Sequence, residues 1–158
     1  MLAFALPRRP TLILLACGRT QWGALGRAKS GEVTLVEARA HVSEILSPGS
    51  QVLGGQLAAY QASVGEAATG LGALPGAVDW SQRFYQYTNR LAHAYLSKEL
   101  NGVPTLLVIL YFIGDREMGG PESRREWDAA LAVLHEGLGL RARLPLHVKD
   151  VFVNVLGK

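Results

Sequence analysis

Three observations on the sequence predict an α/β fold with a mixed sheet. Residues 21–41 carry a hairpin pattern, Thr105–Ile113 is a nine-residue run with hardly a polar side chain, and helix-patterned stretches separate the strand-like ones. A strand apolar on both faces is a central strand, which calls for helices on each side of the sheet. The chain has 158 residues, 49% of them hydrophobic, enough for one core, so residues 1–158 read as a single domain.

Taken in order, Thr11–Ala16 reads as a short first strand or as a poorly ordered or truncated start over residues 1–19. Arg8-Arg9 ahead of that run and Cys17 after it also mimic a lipoprotein signal, but six apolar residues fall short of the usual signal core of about 7–15. Gln21–Gly26 and Glu32–His41 are strands joined by the turn-like Ala28-Lys29-Ser30-Gly31. Ser47–Ser50 is a loop cluster with Ser50 as a helix cap. Leu53, Leu57, Tyr60, Val64, Ala67 and Leu71 then form one helical stripe, weakened by Gly54, Gly55 and Gly65 at about 1 kcal/mol each. Leu71–Val78 is a connecting loop.

The next helix is capped by Asp79 or Ser81 and closed by Gly102 and Pro104. Phe84, Tyr87, Leu91 and Tyr95 make its core face. Gln86, Asn89, Arg90, His93 and Ser97 step along the opposite side. Beyond the central strand, Ser123 with Glu126 makes a capping box, and Trp127, Ala130, Leu131, Leu134 and Leu138 form a buried stripe that Gly139 stops. Val148–Leu156 is the last strand. Trp80 and Trp127 are expected in the core.

Sixteen basic against thirteen acidic residues give +3, a balance that mildly favours an anionic partner. The lone Cys17 excludes an internal disulfide and fits a reducing, cytoplasmic setting. No run approaches the roughly 18 apolar residues of a membrane span. His41, His93, His135 and His147 lie too far apart for a metal-ligand spacing, and no nucleophile elbow, Walker loop or dinucleotide fingerprint occurs. Oligomeric state is not legible.

The chemistry concentrates at the end of the second hairpin strand. In Val33–His41, Glu37 and Arg39 are two residues apart and share a strand face, where on their own they read as a same-face ion pair at the strand end. This hairpin resembles the core of the restriction-endonuclease-like PD-(D/E)XK nuclease superfamily, in which an Asp ends one strand and an acid-x-Lys ends the next. A wider similarity to bacterial members of that superfamily runs through Asp79–Ser81, Tyr85–His93, Asn101–Pro104 and Gly120–Ser123, covering roughly residues 20–156. Gly23 stands at the family's Asp position, 37 − 23 = 14 residues before Glu37, and Arg39 stands at its Lys position.

The resemblance implies a restriction-endonuclease-like mixed sheet flanked by helices on both faces, and a Mg²⁺-dependent phosphodiesterase site with nucleic acid as partner. Two carboxylates at adjacent strand ends would hold Mg²⁺, and the nearby cation would stabilise charge on the phosphate. Glu37 is the surviving metal ligand, with the Ala38 carbonyl beside it. Gly23 offers no oxygen unless Glu32, Glu44 or Asp115 reaches in, and Arg39 does not give up its proton. The expectation is a degenerate or weakened nuclease; the alternative is a non-catalytic nucleic-acid-binding or protein-interaction module on the same fold. Gln86, Asn89, Arg90 and His41 are candidate substrate contacts, and the stripe carrying the first three reads equally as a solvated helix face. Arg19, Arg27 and Lys29 flank the hairpin, as phosphate contacts or as ordinary surface charge.

Overall fold

In the computed structural model, residues 21–47, 49, 57–75, 77–140 and 144–155 are described. The expectations for Thr11–Cys17, Arg19, Ser50 and Leu53 lie outside them. Strands β1 (Ala24–Arg27), β2 (Val33–Arg39), β3 (Thr105–Ile113) and β4 (Val148–Asn154) form one mixed sheet in the order β1-β2-β3-β4. β1 is antiparallel to β2, with Ala24 opposite Val36, whereas β2 and β4 both run parallel to β3. The hairpin turn closes with Ala28 N–H to Glu32 O and Gly31 N–H to Ala28 O, Gly31 taking the positive φ that its turn requires.

Among the described residues the sheet is joined by three helices: α1 (Leu57–Gly70), α2 (Tyr85–Tyr95, continued by a π turn over Leu96–Leu100) and α3 (Arg124–Gly137). α1 buries Tyr60, Val64 and Ala67 and packs on α2, so closely at Gly70 that a Cβ there would collide with the Tyr95 ring. α3 lays Trp127 against Tyr111, ring centroids 5.0 Å apart, and the indole N–H donates to Phe112 O at 2.8 Å. Trp80 and Trp127 are both buried as expected.

Parallel register places side chains in rows across the helix-facing side of the sheet: Leu35, Leu107 and Val148; then Glu37, Ile109 and Asp150; then Arg39, Tyr111 and Phe152. Leu107, Ile109 and Tyr111 are fully buried, while Leu106, Val108 and Leu110 are half-buried. The cover by helices on both faces, expected from the unbroken apolar run, is thereby corrected among the described residues: burial alternates along β3, and only its odd-numbered face is tightly packed.

Two further corrections concern α2. Asp79 and Ser81 do not start it; the Asp79 carboxylate caps Ser81 N–H in a separate turn that also bonds Asp79 O to Gln82 N–H, and the helix begins after Phe84, whose φ of 57° is left-handed. That turn is fixed from behind, because Thr88 Oγ1 donates to Trp80 O and the Trp80 indole donates to Leu138 O. The supposed solvated stripe is also mostly buried: Asn89, Arg90 and His93 are below 9% exposed, and only Gln86 of the candidate contacts on this helix faces water. In α3, Ser123 does bond Glu126 at 2.8 Å, though through side chain to side chain and not to the backbone.

Candidate functional site

The buried charges gather where β2 meets α2. Glu37 sits near the end of β2 with its side chain under the helices, because register leaves it on the same face as Leu35 and Ile109. Its two oxygens are both taken. Oε1 lies 2.8 Å from Arg39 Nη1, and Oε2 accepts from Arg90 Nε at 2.8 Å. All three side chains are at or below about a tenth exposed, so these are desolvated, charge-assisted contacts rather than surface pairs.

A second carboxylate completes the balance. Glu44 Oε2 is 3.7 Å from Arg39 Nη1, while its Oε1 accepts from the backbone N–H groups of Ala40 and His41 at 2.8 and 2.7 Å. His41 caps the 3₁₀ turn Val42–Ile45, its Nδ1 accepting from Ser43 N–H at 2.9 Å. β2 therefore ends before His41, and the histidine has left the strand face it would have shared with Glu37 and Arg39. The loop over that strand end comes close: Gly120 packs against Ala40 O, where a Cβ has no room, and Gly119 approaches the His41 ring.

Arg90 joins more than Glu37. Its Nη2 donates to Gln21 O at 2.7 Å, and its guanidinium lies 4.6 Å from the centroid of the Trp22 ring, a cation–π contact. His93, one turn on, meets the same indole edge-on at 5.8 Å. Burial, and secondarily the neighbouring Arg90 charge, pulls the His93 pKa down to about 4, so the ring is neutral at neutral pH.

Gly23 lies one residue beyond the β1 ladder, where the antiparallel register carries it opposite Glu37. A Cβ built there would be 3.8 Å from Glu37 Cα and 3.3 Å from Val36 O, and Gly23 is not in the positive-φ region. The hairpin thus brings positions 23, 37 and 39 together. Of the acids expected to reach in, Glu44 contacts Arg39 rather than Glu37, and Asp115 is engaged with Met118 N–H. Gln86 remains apart, exposed, with its N–H on Ser47 Oγ.

The donor set does not fit Mg²⁺. A hard dication asks for several free oxygens in octahedral array, and here the single strand-end carboxylate is saturated by two guanidiniums whose charge would repel the ion. Among the described residues no group of three or more His, Cys, Asp or Glu is placed to hold a metal. The Glu37–Arg39 ion pair is the one that two same-face residues at a strand end suggest, whereas the contact of Arg90 with Glu37 was not foreseen. Nothing in the spacing of Glu37 and Arg90, 53 residues apart, signals it. The capping role of Glu44 was legible in His41-x-x-Glu44, an acid three residues after a strand end. No family model, curated protein or solved structure matches the chain.

Proposed function

We propose that this chain is a catalytically silent derivative of the PD-(D/E)XK nuclease plan that binds nucleic acid without cleaving it. The reading is carried by one observation, the capture of both Glu37 oxygens by Arg39 and Arg90. In the nuclease chemistry those oxygens belong to Mg²⁺. Here two fixed guanidinium charges stand in for the ion, holding the strand end and helix together but offering neither a Lewis acid nor an activated water. Support for the ancestry comes from Gly23 standing across from Glu37 on a hairpin, with Arg39 two residues on and a polar helix, α2, packed over the pair. Support for an anionic partner comes from the net charge of +3 and from Arg27 and Lys29, exposed at the hairpin.

Two measurements test it. Binding to single- and double-stranded oligonucleotides is expected to weaken steeply with salt, to be unchanged by EDTA and to leave the strands intact. Binding that needs Mg²⁺, or none at low salt, contradicts the reading. The ancestry is tested by Gly23→Asp with Arg39→Lys, which supplies a second carboxylate beside Glu37 and a compact cation that can move aside. That double variant is expected to gain Mg²⁺-dependent cleavage, weak because Arg90 still holds Oε2, and Glu37→Ala is expected to abolish it. A folded double variant that cleaves no substrate sets the nuclease ancestry aside.

A further inference from the structure

The described helices all lie on one face of the sheet, and topology explains why. The connections from β2 to β3, through α1 and α2, and from β3 to β4, through α3, step the same way across the order β1-β2-β3-β4. A crossover between parallel strands is right-handed almost without exception, so two crossovers stepping in one direction set their helices on the same side. The contacts agree. Arg90 of α2 reaches Glu37, Trp127 of α3 lies on Tyr111, and α1 rests on α2.

The opposite face is apolar across β2, β3 and β4. Register puts Val36, Leu106, Val108, Leu110, Phe112 and Val151 on it, with Thr34 at one end and Lys149 as its charged side chain. None of the six belongs to the buried core, and Val151 is 39% exposed. A sheet face meant for water alternates with polar side chains, which this one lacks, so its composition is that of a covered surface. Three strands about 4.8 Å apart and about seven residues long at 3.3 Å each give a footprint of roughly 300 Å², the scale at which an apolar patch marks an interaction surface. Two copies meeting face to face would cover only about twice that, well short of the roughly 1,200–2,000 Å² of a stable interface between separate chains. A tethered segment needs far less area, because its covalent link replaces the cost of association.

We propose that this apolar face is a docking surface for the chain's own amino-terminal segment, residues 1–20. The segment leads directly into Gln21 and β1, an edge strand from which either face of the sheet is within reach. Its length suffices: even at the short helical rise of about 1.5 Å per residue, twenty residues span about 30 Å, twice the width of the patch. Its composition matches, with the apolar runs Met1–Leu6 and Leu12–Ala16 and no acidic residue. Docking there supplies the second layer that the two crossovers leave out.

Cys17 is the chain's single cysteine and lies inside the segment, so the full chain can be tested without a substitution. With a nitroxide on Cys17, the methyl signals of Val36, Val108, Leu110 and Val151 are expected to be lost and to return when the nitroxide is reduced. Those of Val64, Leu91 and Leu134, on the helix side, are expected to persist. A second sample mixes spin-labelled protein carrying no isotope with isotope-labelled protein carrying no spin label, which isolates contacts between copies, and is expected to show no loss. In the unlabelled, unmodified chain, nuclear Overhauser effects are expected between methyl groups of residues 1–20 and those of Val108 and Leu110. This last measurement holds even where the nitroxide itself disturbs docking. Loss of signal in the mixed sample gives the face to a second copy and overturns the proposal. The proposal also falls if no Overhauser effect joins residues 1–20 to Val108 or Leu110, or if the nitroxide broadens both sides of the sheet alike.

Discussion

Replacing Glu37 with Gln keeps the shape of the side chain and removes the one charge that two buried guanidiniums share. Arg39 retains the distant Glu44 and Arg90 retains the Gln21 carbonyl and the Trp22 face, but neither contact balances a full desolvated charge. Breaking a buried pair from one side costs about 3–5 kcal/mol, and Glu37→Gln is expected to lower unfolding stability by that order in urea denaturation. A loss within about 0.5 kcal/mol, the range of ordinary surface substitutions, would show that the network is hydrated and loosely held. His93 gives a second residue-scale consequence. Its folded pKa of about 4 lies below the ordinary 6.5, so the unfolded chain takes up the proton first. Stability is therefore complete above pH 6.5 and is lost as pH falls towards 4, by about 3 kcal/mol from this residue alone. His135, also shifted down, adds to the loss with the same sign. The urea midpoint of His93→Gln is expected to fall less steeply than that of the parent between pH 6.5 and 4; parallel profiles would place the His93 proton uptake elsewhere.

Strand β3 shows how far a single element can be read and where reading stops. Its bounds, Thr105 to Ile113, and its central place were legible because nine residues with hardly a polar side chain, ending at a glycine, leave no helical period and no exposed edge. The alternation of burial along it was not, since Leu, Val and Ile serve a tight face and a half-covered face alike. On the tight face Ile109 stands in register between Glu37 and Asp150, 1% exposed. Ile109→Asp would set a third carboxylate in that row with no cation left to meet it, and is expected to abolish the cooperative unfolding transition by circular dichroism. A folded, cooperative variant would mean that water reaches the row. Helix α2 failed in the opposite sense. Its polar residues at three- and four-residue steps have the pattern of a wet face, and what buries them is a neighbour, Trp22 and Glu37 from the hairpin, that no local period encodes.

For the whole molecule, the class was legible from the alternation of strand and helix signals, and the hairpin from its turn, whereas the register that sets Gly23 opposite Glu37 is given by the ladder itself. Contacts between distant segments were not legible, and they decide the chemistry: Arg90 closes on Glu37, and Tyr87 of α2 meets His135 of α3. Among the described residues no helix is long and apolar enough to cross a membrane. On the proposed reading, the Arg39 and Arg90 guanidiniums stand where a metal would bind Glu37, and paramagnetic broadening by Mn²⁺ tests this directly on the unmodified chain. The expected result is no selective broadening of Glu37, Ala38 or Gly23 resonances up to millimolar Mn²⁺, since the ion would have to displace two buried cations from a single carboxylate. Saturable broadening centred on Glu37, removed by Glu37→Ala and accompanied by strand cleavage, would contradict the account.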